Sequence, residues 1–288
     1  MSWIESIQKA IDYMETHLLD VDLSIEQVAK ASNSSAFHFQ RTFSILTDIT
    51  VGDYIRRRRL TLAAQDLVTS SDKIIDIAYK YGYETPEAFA KAFRKQHNLS
   101  PMEARKKSGS IQSYNRLVIK IQLEGALPMN YKIVEKQAFQ VVGVKRSYGY
   151  KNGENLRGIP QFWNDVHADG TNDRLFDLNN GDIQGVLGVC VVEQSKKDEG
   201  LMDYWIAAAY NGNTPNGLES YEIPASKWVI FEVQGAMPHA IQETWKKIYS
   251  EWFPSNPYKP AGTAELEVYT NGDSTKADYR SEIWIPIK

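Results

Sequence analysis

Two glutamates in the second half of the chain stand in apolar, strand-like runs beside aromatic residues. Glu267 lies two residues before Tyr269, and Glu282 lies two residues before Trp284. Because side chains alternate between the two faces of a strand, each glutamate shares a face with its aromatic neighbour. A carboxylate beside aromatic rings attracts an organic cation through its charge and through cation–π interaction. The alternative interpretation is that each acid points to solvent from an exposed strand face.

Aromatic side chains are dense throughout the second half, and we expect most of them in a protein core. Some of them could line a ligand pocket together with the two glutamates. The candidate ligand-binding residues are Glu267, Tyr269, Glu282, Trp284, Trp163, Tyr148 and Trp205.

The residue types that metal binding and catalysis require are not grouped in this sequence. The five histidines are scattered, and none stands at ligand spacing from a cysteine or another histidine. We find no nucleophile elbow, Walker loop or dinucleotide fingerprint, and Gly185 and Gly188 are interpreted as glycines that a strand tolerates. Cys190 lies in an apolar run and is predicted to be a buried thiol. We expect no catalytic residues, no metal and no cofactor.

Charge is unevenly divided along the chain. Residues 1–110 carry 15 Lys and Arg against 14 Asp and Glu, whereas residues 111–288 carry 18 against 22. The first part contains the run from Arg56 to Arg59, which is typical of a solvated helix face; phosphate contact is the second interpretation. Because neighbours on a helix diverge by about 100°, we expect one or two of these arginines to pair with Asp53 or Asp66.

Up to about residue 107, the spacing of apolar residues predicts helices only. Ser24 and Gln27 are spaced as a capping box at a helix start. Thr85 followed by Pro86 predicts another helix start. The later predicted helices cover residues 51–69, 74–81, 86–97 and a short segment from Pro101.

An internal repeat runs through this helical part. The small alanine of each copy lets two helices cross closely, and the Asn or Gly four residues later can take the positive φ of a sharp turn. The Phe pair one turn apart fixes the second helix on the core. A helix-turn-helix built this way leaves the outer face of its second helix free for a DNA major groove. The copies are Ala29, Asn33, Phe39 and Phe43, and Ala78, Gly82, Phe89 and Phe93.

The distance between the two copies suits DNA as well. A single helix over residues 51–69 is about 28 Å long at 1.5 Å per residue. Successive major grooves on one face of B-DNA are roughly 34 Å apart. A stiff helix of this length could hold two recognition helices in adjacent grooves. The alternative is a helical bundle whose internal symmetry is a coincidence.

Residues 5–107 resemble the AraC/XylS family of bacterial regulators. Asn98 stands where that family usually has Gly, and Ala104 where it often has Tyr. The resemblance implies a sequence-specific regulator of transcription, expected to be an activator, with double-stranded DNA and RNA polymerase as partners. The matching residues are Ile74, Ile77, Ala78, Gly82, Tyr83, Phe89, Phe93, Arg94, Lys95, Ser100, Pro101 and Arg105.

The resemblance also implies which side chains face DNA. Arginine pairs with guanine, glutamine with adenine, and apolar groups contact the thymine methyl. Pro86 and Ala90 cannot donate to a base edge, so we expect the first unit to discriminate sequence more than the second. Backbone contacts are expected from Ser35, Arg94, Lys95 and some of Arg56 to Arg59. The expected base-facing residues are Ala36, Phe37, Gln40 and Arg41, and Pro86, Glu87, Ala90 and Lys91.

Beyond residue 128 the pattern is mixed and predicts an α+β domain built from two similar strand-helix-strand units. Predicted helices lie near residues 159–167 and 238–253. Predicted strands cover residues 131–136, 139–148, 184–193, 202–210, 226–234, 264–270 and 279–287.

This second part resembles the gyrase-inhibitor-like effector-binding domain. The resemblance implies a cup that takes lipophilic, often cationic, compounds against a buried glutamate, and Glu267 is the better match to that glutamate. The matching segments are Val142-Gly143, the four residues from Trp228, the run from Trp245 to Phe253, Leu266 to Tyr269, and Glu282 to Pro286.

The sequence therefore predicts a multidomain regulator. We expect a DNA-binding domain over residues 1–108 with two helix-turn-helix units joined by a long helix, a linker over 109–128, and an effector-binding domain over 129–288. No signal peptide or membrane span is evident, so we expect a cytoplasmic protein without a membrane partner. In the leading hypothesis the last domain senses a small ligand. The alternatives are a protein-interaction module and, third, an enzyme.

Overall fold

The computed structural model describes residues 3–106, 109–119, 128–151, 153–193, 196 and 199–288. They form two compact units that divide between residues 122 and 123. The first unit is helical, and the second is α+β with an antiparallel sheet. Within these described ranges, every helix is too short or too polar to cross a lipid bilayer. The helices of the first unit are α1 (Trp3–Thr16), α2 (Ile25–Ala31), α3 (Ala36–Thr47), α4 (Val51–Thr69), α5 (Ile74–Lys80), α6 (Pro86–His97) and α7 (Pro101–Arg105).

The helix starts follow the local chemistry of the sequence. The capping box before α2 is confirmed. The backbone N–H of Gln27 donates to Ser24 Oγ, and the backbone N–H of Ser24 donates to the side-chain Oε1 of Gln27. Thr85 caps α6 by accepting a single hydrogen bond from the Ala88 N–H, at 3.1 Å, and Pro86 takes the first helical position. These side chains satisfy backbone N–H groups that a helix start otherwise leaves without a partner.

Two helix pairs, α2–α3 and α5–α6, have the turns that the repeat predicted. Asn33 has φ 54° and Gly82 has φ 79°, so each turn uses a left-handed residue that Asn and Gly adopt at low cost. Ala29 and Ala78 are buried where the helices cross, and both Phe pairs are buried beneath them. The repeat therefore corresponds to two helix pairs with the same internal contacts.

Helix α4 joins the two pairs, and the side of the helix that is buried changes along its length. Near its start Val51 and Tyr54 are buried. Near its end Leu60, Ala63 and Leu67 are buried, in the core that α5, α6 and α7 share. At about 100° per residue, these two sets lie on roughly opposite sides of the helix. One helix thus contributes to two cores in succession.

The arginine run on α4 mostly contacts the protein itself. Arg56 forms the expected ion pair with Asp53, at 2.6 Å, and Arg57 lies over the Tyr114 ring at 4.9 Å. Arg58 donates to both carboxylate oxygens of Glu15 at 2.8 Å. Arg59 donates to two backbone carbonyl groups in the segment between α1 and α2. The expected phosphate contact therefore does not extend to Arg58 and Arg59, whose guanidinium groups are engaged.

The other expected acid on α4 has different partners. Asp66 accepts from Lys80 at 2.7 Å and from the Tyr81 hydroxyl at 2.8 Å. These contacts join the end of α4 to α5, so Asp66 fixes the second helix pair rather than neutralising the arginine run.

Part of the predicted linker packs on the helical unit. Tyr114 N–H donates to Thr61 Oγ1 at 3.1 Å, and Arg58 donates to the Tyr114 carbonyl oxygen at 2.6 Å. Further along, Leu117 N–H donates to the Tyr54 hydroxyl at 3.1 Å. Residues 120–127 lie outside the described residues, and the domain boundaries stay predictions.

The second unit is an eight-stranded antiparallel sheet in the order β1-β6-β8-β7-β3-β4-β2-β5. Its strands are β1 (Tyr131–Lys136), β2 (Phe139–Gly149), β3 (Val186–Val191), β4 (Leu201–Ala209), β5 (Glu219–Ile223), β6 (Ser226–Gln234), β7 (Glu265–Tyr269) and β8 (Arg280–Ile287). Its helices are α8 (Glu154–Ala168), α9 (Thr171–Leu178), α10 (His239–Lys247), a π-helical turn (Ile248–Trp252) and α11 (Phe253–Ser255).

The sequence patterns did not predict two of these elements, α9 and β5. Strand β5 reads Glu-Ser-Tyr-Glu-Ile and lies at an edge of the sheet, with only its last residue fully buried. A mostly solvent-exposed edge strand shows little of the alternation of apolar and polar residues on which strand prediction depends. Helix α9 has only eight residues, three of them charged, which is too short for a helical apolar period to be recognised.

The two faces of the sheet have different environments. One face contacts α8 and α10, through hydrogen bonds from Trp163 and Trp245. The other face carries a buried apolar cluster that includes Trp205, Trp228 and Trp284. A polar group on the helical face therefore lies between sheet and helices, which is where the candidate site forms.

The ion pair between Glu15 and Arg58 yields a stability prediction. The side chains are 11% and 12% exposed, and Tyr54 donates to the same carboxylate. Burial acts first to raise the pKa of Glu15, but hydrogen bonds from Arg58 and Tyr54 outweigh it and hold the pKa below 4.5. We expect Glu15→Gln to lower the free energy of unfolding at neutral pH by about 3 kcal/mol, because it leaves Arg58 unpaired.

Because the folded pKa of Glu15 is depressed, its contribution is complete above about pH 4.5 and is lost as the pH falls through the folded pKa. The difference between wild type and Glu15→Gln should therefore shrink in acid. Guanidinium unfolding followed by far-ultraviolet circular dichroism measures it. Asp12→Asn is the control, since Asp12 and Arg116 are both 48% exposed, and it should change stability by less than about 0.5 kcal/mol. A gap that widens in acid would contradict the assignment.

Candidate functional site

The outer side of α3 carries some, but not all, of the residues expected to face DNA. Ser35 caps the helix by accepting from the His38 N–H. Phe37 and Arg41 are part-exposed on α3. Ala36 is only 6% exposed, so its methyl group offers little surface to a base.

Gln40, which is expected to contact a base, is buried in this structure. Gln40 is 3% exposed. Its amide group donates to Ser44 Oγ and accepts from the Val51 N–H, both at 3.3 Å. Gln40 therefore links α3 to the first turn of α4, with both ends of its amide engaged inside the protein. Local spacing did not indicate this, because the Val51 partner belongs to the next helix.

The outer side of α6 is more exposed and more charged. Glu87 and Lys91 are exposed, one turn apart, and the residues that precede each of them, Pro86 and Ala90, are half-buried. The backbone-contact candidates Arg94 and Lys95 are exposed in the last turn. From Lys91 onward, the helix can supply positive charge to phosphates.

In the second unit, Glu267 lies on the helical face of the sheet and accepts three hydrogen bonds from aromatic residues. Trp245 Nε1 donates to Oε1 at 2.7 Å. The Tyr269 hydroxyl donates to Oε2 at 3.0 Å, and the Tyr204 hydroxyl donates to the same oxygen at 3.4 Å. The Trp163 indole donates in turn to the Tyr204 hydroxyl at 2.9 Å. We call Trp163, Tyr204, Trp245, Glu267 and Tyr269 the Glu267 cluster.

Strand register and small size at Gly188 create room for this cluster. Gly188 stands directly opposite Glu267 across β3 and β7. A Cβ at Gly188 would lie 2.3 Å from the Tyr204 hydroxyl and 3.4 Å from Glu267 Oε2. The interpretation of Gly188 as a merely tolerated glycine is therefore wrong, since any side chain there would displace the Tyr204 hydroxyl.

The charge of Glu267 is surrounded by neutral donors. Among the residues that the structure describes, Glu267 has no Lys, Arg or His nitrogen within 4 Å. Burial, and then the negative charge of Glu267, raise the pKa of the Tyr269 hydroxyl well above 10. Tyr269 therefore stays protonated and donates at neutral pH. Rings frame the carboxylate, with Trp163 and Tyr269 edge to face at 4.9 Å.

The seven ligand-binding candidates divide between the two faces of the sheet. Tyr148 joins the helical face, where its hydroxyl donates to the Gly158 carbonyl of α8 at 3.1 Å. Glu282 stands opposite Val268 and Trp284 opposite Leu266, so both point away from Glu267. Trp205 belongs to that opposite face as well. The structure thus brings Glu267, Tyr269, Trp163 and Tyr148 to one face and leaves Trp205, Glu282 and Trp284 on the other.

Glu282 differs from Glu267 in having a counter-ion. Lys132 lies 3.2 Å from its carboxylate, and Trp284 Nε1 donates to it at 2.7 Å. Lys132 compensates the charge of Glu282, whereas Glu267 has no such counter-ion among the described residues. Its pairing with Trp284 on one strand face was correct, but the sequence did not reveal the lysine 150 residues away.

Two donors of the Glu267 cluster were missing from the sequence-derived candidates. Tyr204 and Trp245 come from β4 and α10, and neither is close to Glu267 along the chain. Trp245 does precede Tyr249 by one turn, and that spacing of two polar-tipped aromatics on a helix was the available signal. Both rings stack at 5.9 Å.

Two family models match the chain. One, described as a helix-turn-helix domain, matches residues 28–107. The other, described as an integron-associated effector binding protein, matches residues 132–287. Together they cover most of both structural units.

Relatives of known name show the same division. The regulatory protein SoxS of Escherichia coli K12 is 42% identical over 105 residues, which cover 36% of this chain and 97% of SoxS. The right origin-binding protein of the same strain is 26% identical over 296 residues and 98% of each chain. A solved structure of SAV2435 bound to tetraphenylphosphonium is 28% identical, covers 56% of this chain and 94% of its own, and has a TM-score of 0.50.

The close approach at Gly188 gives a prediction for the Glu267 cluster. Gly188→Ala should move the Tyr204 hydroxyl away from Glu267 and lower the free energy of unfolding by about 1–3 kcal/mol through overpacking. Thermal unfolding and near-ultraviolet circular dichroism measure the two effects. In a double-mutant cycle with Tyr204→Phe, the combined cost should be less than the sum, because the clashing oxygen is absent. Additive costs would mean that the two residues do not meet.

Proposed function

The chain belongs to the AraC-type DNA-binding transcription regulators that carry an effector-binding domain, and from this premise we propose that α3 and α6 each read a major groove. Each helix is the second member of one of the two helix pairs. The two pairs are then two helix-turn-helix units. Helix α4, with 19 residues, is about 28 Å long at 1.5 Å per residue, which suits grooves roughly 34 Å apart.

The part-exposed residues of α3 favour it as the more discriminating reader. Arg41 suits guanine and Phe37 suits a thymine methyl, whereas α6 offers Lys91 beside Ala90. Ser35, Arg94 and Lys95 fit phosphate contacts, which fix the register on DNA without reading sequence.

For the second unit we propose a ligand that is a lipophilic organic cation. The observation that carries this is the part-buried Glu267 carboxylate, satisfied by neutral aromatic donors and without an ion pair among the described residues. A cation enclosed by these rings gains charge attraction and cation–π contact together. SAV2435, which binds tetraphenylphosphonium, resembles this unit.

The sheet order supports a duplicated strand-helix-strand architecture for this cup. The strands β1, β6, β8 and β7 follow one another from one edge, and β5, β2, β4 and β3 follow from the other. The two halves meet at β3 and β7, where Gly188 of one half stands opposite Glu267 of the other. On this view Glu267 lies at the junction of the two halves, where Gly188 makes room for its Tyr204 donor.

We propose further that the protein activates transcription, with RNA polymerase as the partner, and that the ligand shifts the balance between two states of the chain. A ligand can do so only by binding one state more tightly than the other. The second candidate function for the α+β unit is a protein-interaction module without a small ligand. Ligand titration separates the two candidates.

The unequal roles of α3 and α6 can be measured on DNA. Arg41→Ala should weaken binding to a selected duplex by about 1–3 kcal/mol while binding to unrelated duplexes changes little, because a bidentate base contact is lost. Lys91→Ala should weaken both by similar amounts and reduce the salt dependence. Quantitative footprinting on duplexes selected from a random library makes the comparison. Equal losses of specificity would refute the ranking of the two helices.

Charge selectivity tests the ligand proposal. Tetraphenylphosphonium should raise the melting temperature of the full chain, by the equivalent of about 2.7 kcal/mol at a hundred times its Kd, whereas the anion tetraphenylborate, similar in shape, should not. Glu267→Gln should abolish the shift. Glu282→Gln is the matched control, since Glu282 lies on the other face and is paired with Lys132. Equal shifts with both ions, or none with either, would reject a cation site and favour a protein partner.

A further inference from the structure

Arg59 contacts the segment that leads into the first helix pair and the turn of the second pair. Its Nε donates to the Leu18 carbonyl oxygen at 2.6 Å, and Nη2 donates to the Asp20 carbonyl oxygen at 2.8 Å. Leu18 and Asp20 belong to the segment between α1 and α2, four to six residues before the Ser24 cap of α2. The guanidinium group thus fixes the entry to the first helix pair.

The same guanidinium group lies under the turn of the second pair. An added Cβ at Gly82 would stand 2.9 Å from Arg59 Nη1 and 3.6 Å from Cζ. Gly82 is the left-handed residue between α5 and α6. Only a residue without a side chain lets this turn rest on the planar guanidinium, so the Gly82 position serves a contact as well as a conformation.

These contacts complement the packing of each pair on α4. The first pair is joined to the start of α4 through Gln40 and Val51, and the second pair packs on its later half. A helix without an internal proline or π-bulge bends only gently, so α4 leaves open chiefly how each pair tilts on it. A side chain that contacts both the segment leading into the first pair and the turn of the second pair restrains that tilt, and therefore the distance between α3 and α6.

We propose that Arg59 is a positioning residue that sets which spacing of two DNA half-boxes the chain accepts. This rests on the proposed reading of two grooves. One inserted base pair turns the second box by about 34–36° and moves it by about 3.4 Å. Recognition helices restrained in this way cannot follow such a change, whereas unrestrained ones can tilt on α4 to follow it.

The experiment uses the full chain and a duplex that the wild type selects from a randomised library, with its two contacted grooves located by hydroxyl-radical footprinting. Affinity is then measured with one base pair inserted or removed between the grooves. Wild type should lose about tenfold or more in affinity, comparable to a mismatched box. Arg59→Met, which keeps the apolar stem, should lose less than about threefold on the same change.

Gly82→Asn is the second variant, because Asn tolerates the left-handed conformation but its Cβ displaces Arg59 from the other side. Gly82→Asn should reduce the dependence of affinity on spacing as Arg59→Met does. It tests the proposal by itself if Arg59→Met does not fold. Arg56→Met is the matched control, since Arg56 is 51% exposed and pairs only with Asp53 among the described residues. It should keep the spacing dependence of the wild type.

Two outcomes would overturn the inference alone. In the first, Arg59→Met keeps the full spacing dependence. In the second, it loses affinity equally at every spacing, with a salt slope lower by about one, which is the behaviour of a phosphate contact. A wild type that protects a single groove, or that binds all spacings equally, would instead overturn the proposed two-groove function and this inference with it.

Discussion

Helix α4 has to satisfy two cores at once, and the first unit depends on that constraint. Its first half buries Val51 and Tyr54, and its second half buries Leu60 and Leu67 on roughly the opposite side. A helix of this kind has no single apolar stripe, so its stability comes from tertiary packing on both sides rather than from an amphipathic pattern. It can in return hold two helix pairs at a fixed separation.

The charged groups of α4 follow from the same constraint. Because both sides of the helix are covered, Arg58 and Arg59 cannot reach solvent freely and instead bind Glu15 and backbone carbonyl groups. Guanidinium groups suit these sites, since they offer several donors in a fixed plane. The arginine run, predicted to be a solvated helix face or else a phosphate contact, serves in large part to attach α1 and its following segment to α4.

The second unit holds one part-buried charge in place by a different means. Glu267 is kept by hydroxyl and indole donors from β4, β7 and α10, and Gly188 supplies the space. Neutral donors orient a carboxylate without cancelling its charge. Glu282, with Lys132 beside it, shows the opposite solution on the other face of the same sheet.

Sequence alone determined what depends on neighbouring residues: the caps at Ser24 and Thr85, the left-handed turns, the extent of α4, and the strand face that Glu267 shares with Tyr269. These follow from backbone conformation and side-chain period, which act over a few residues. Only the tertiary structure decided which acid keeps an uncompensated charge and whether Gln40 reaches solvent. Those outcomes depend on partners that are distant in the chain, and local patterns carry no information about which of them meet.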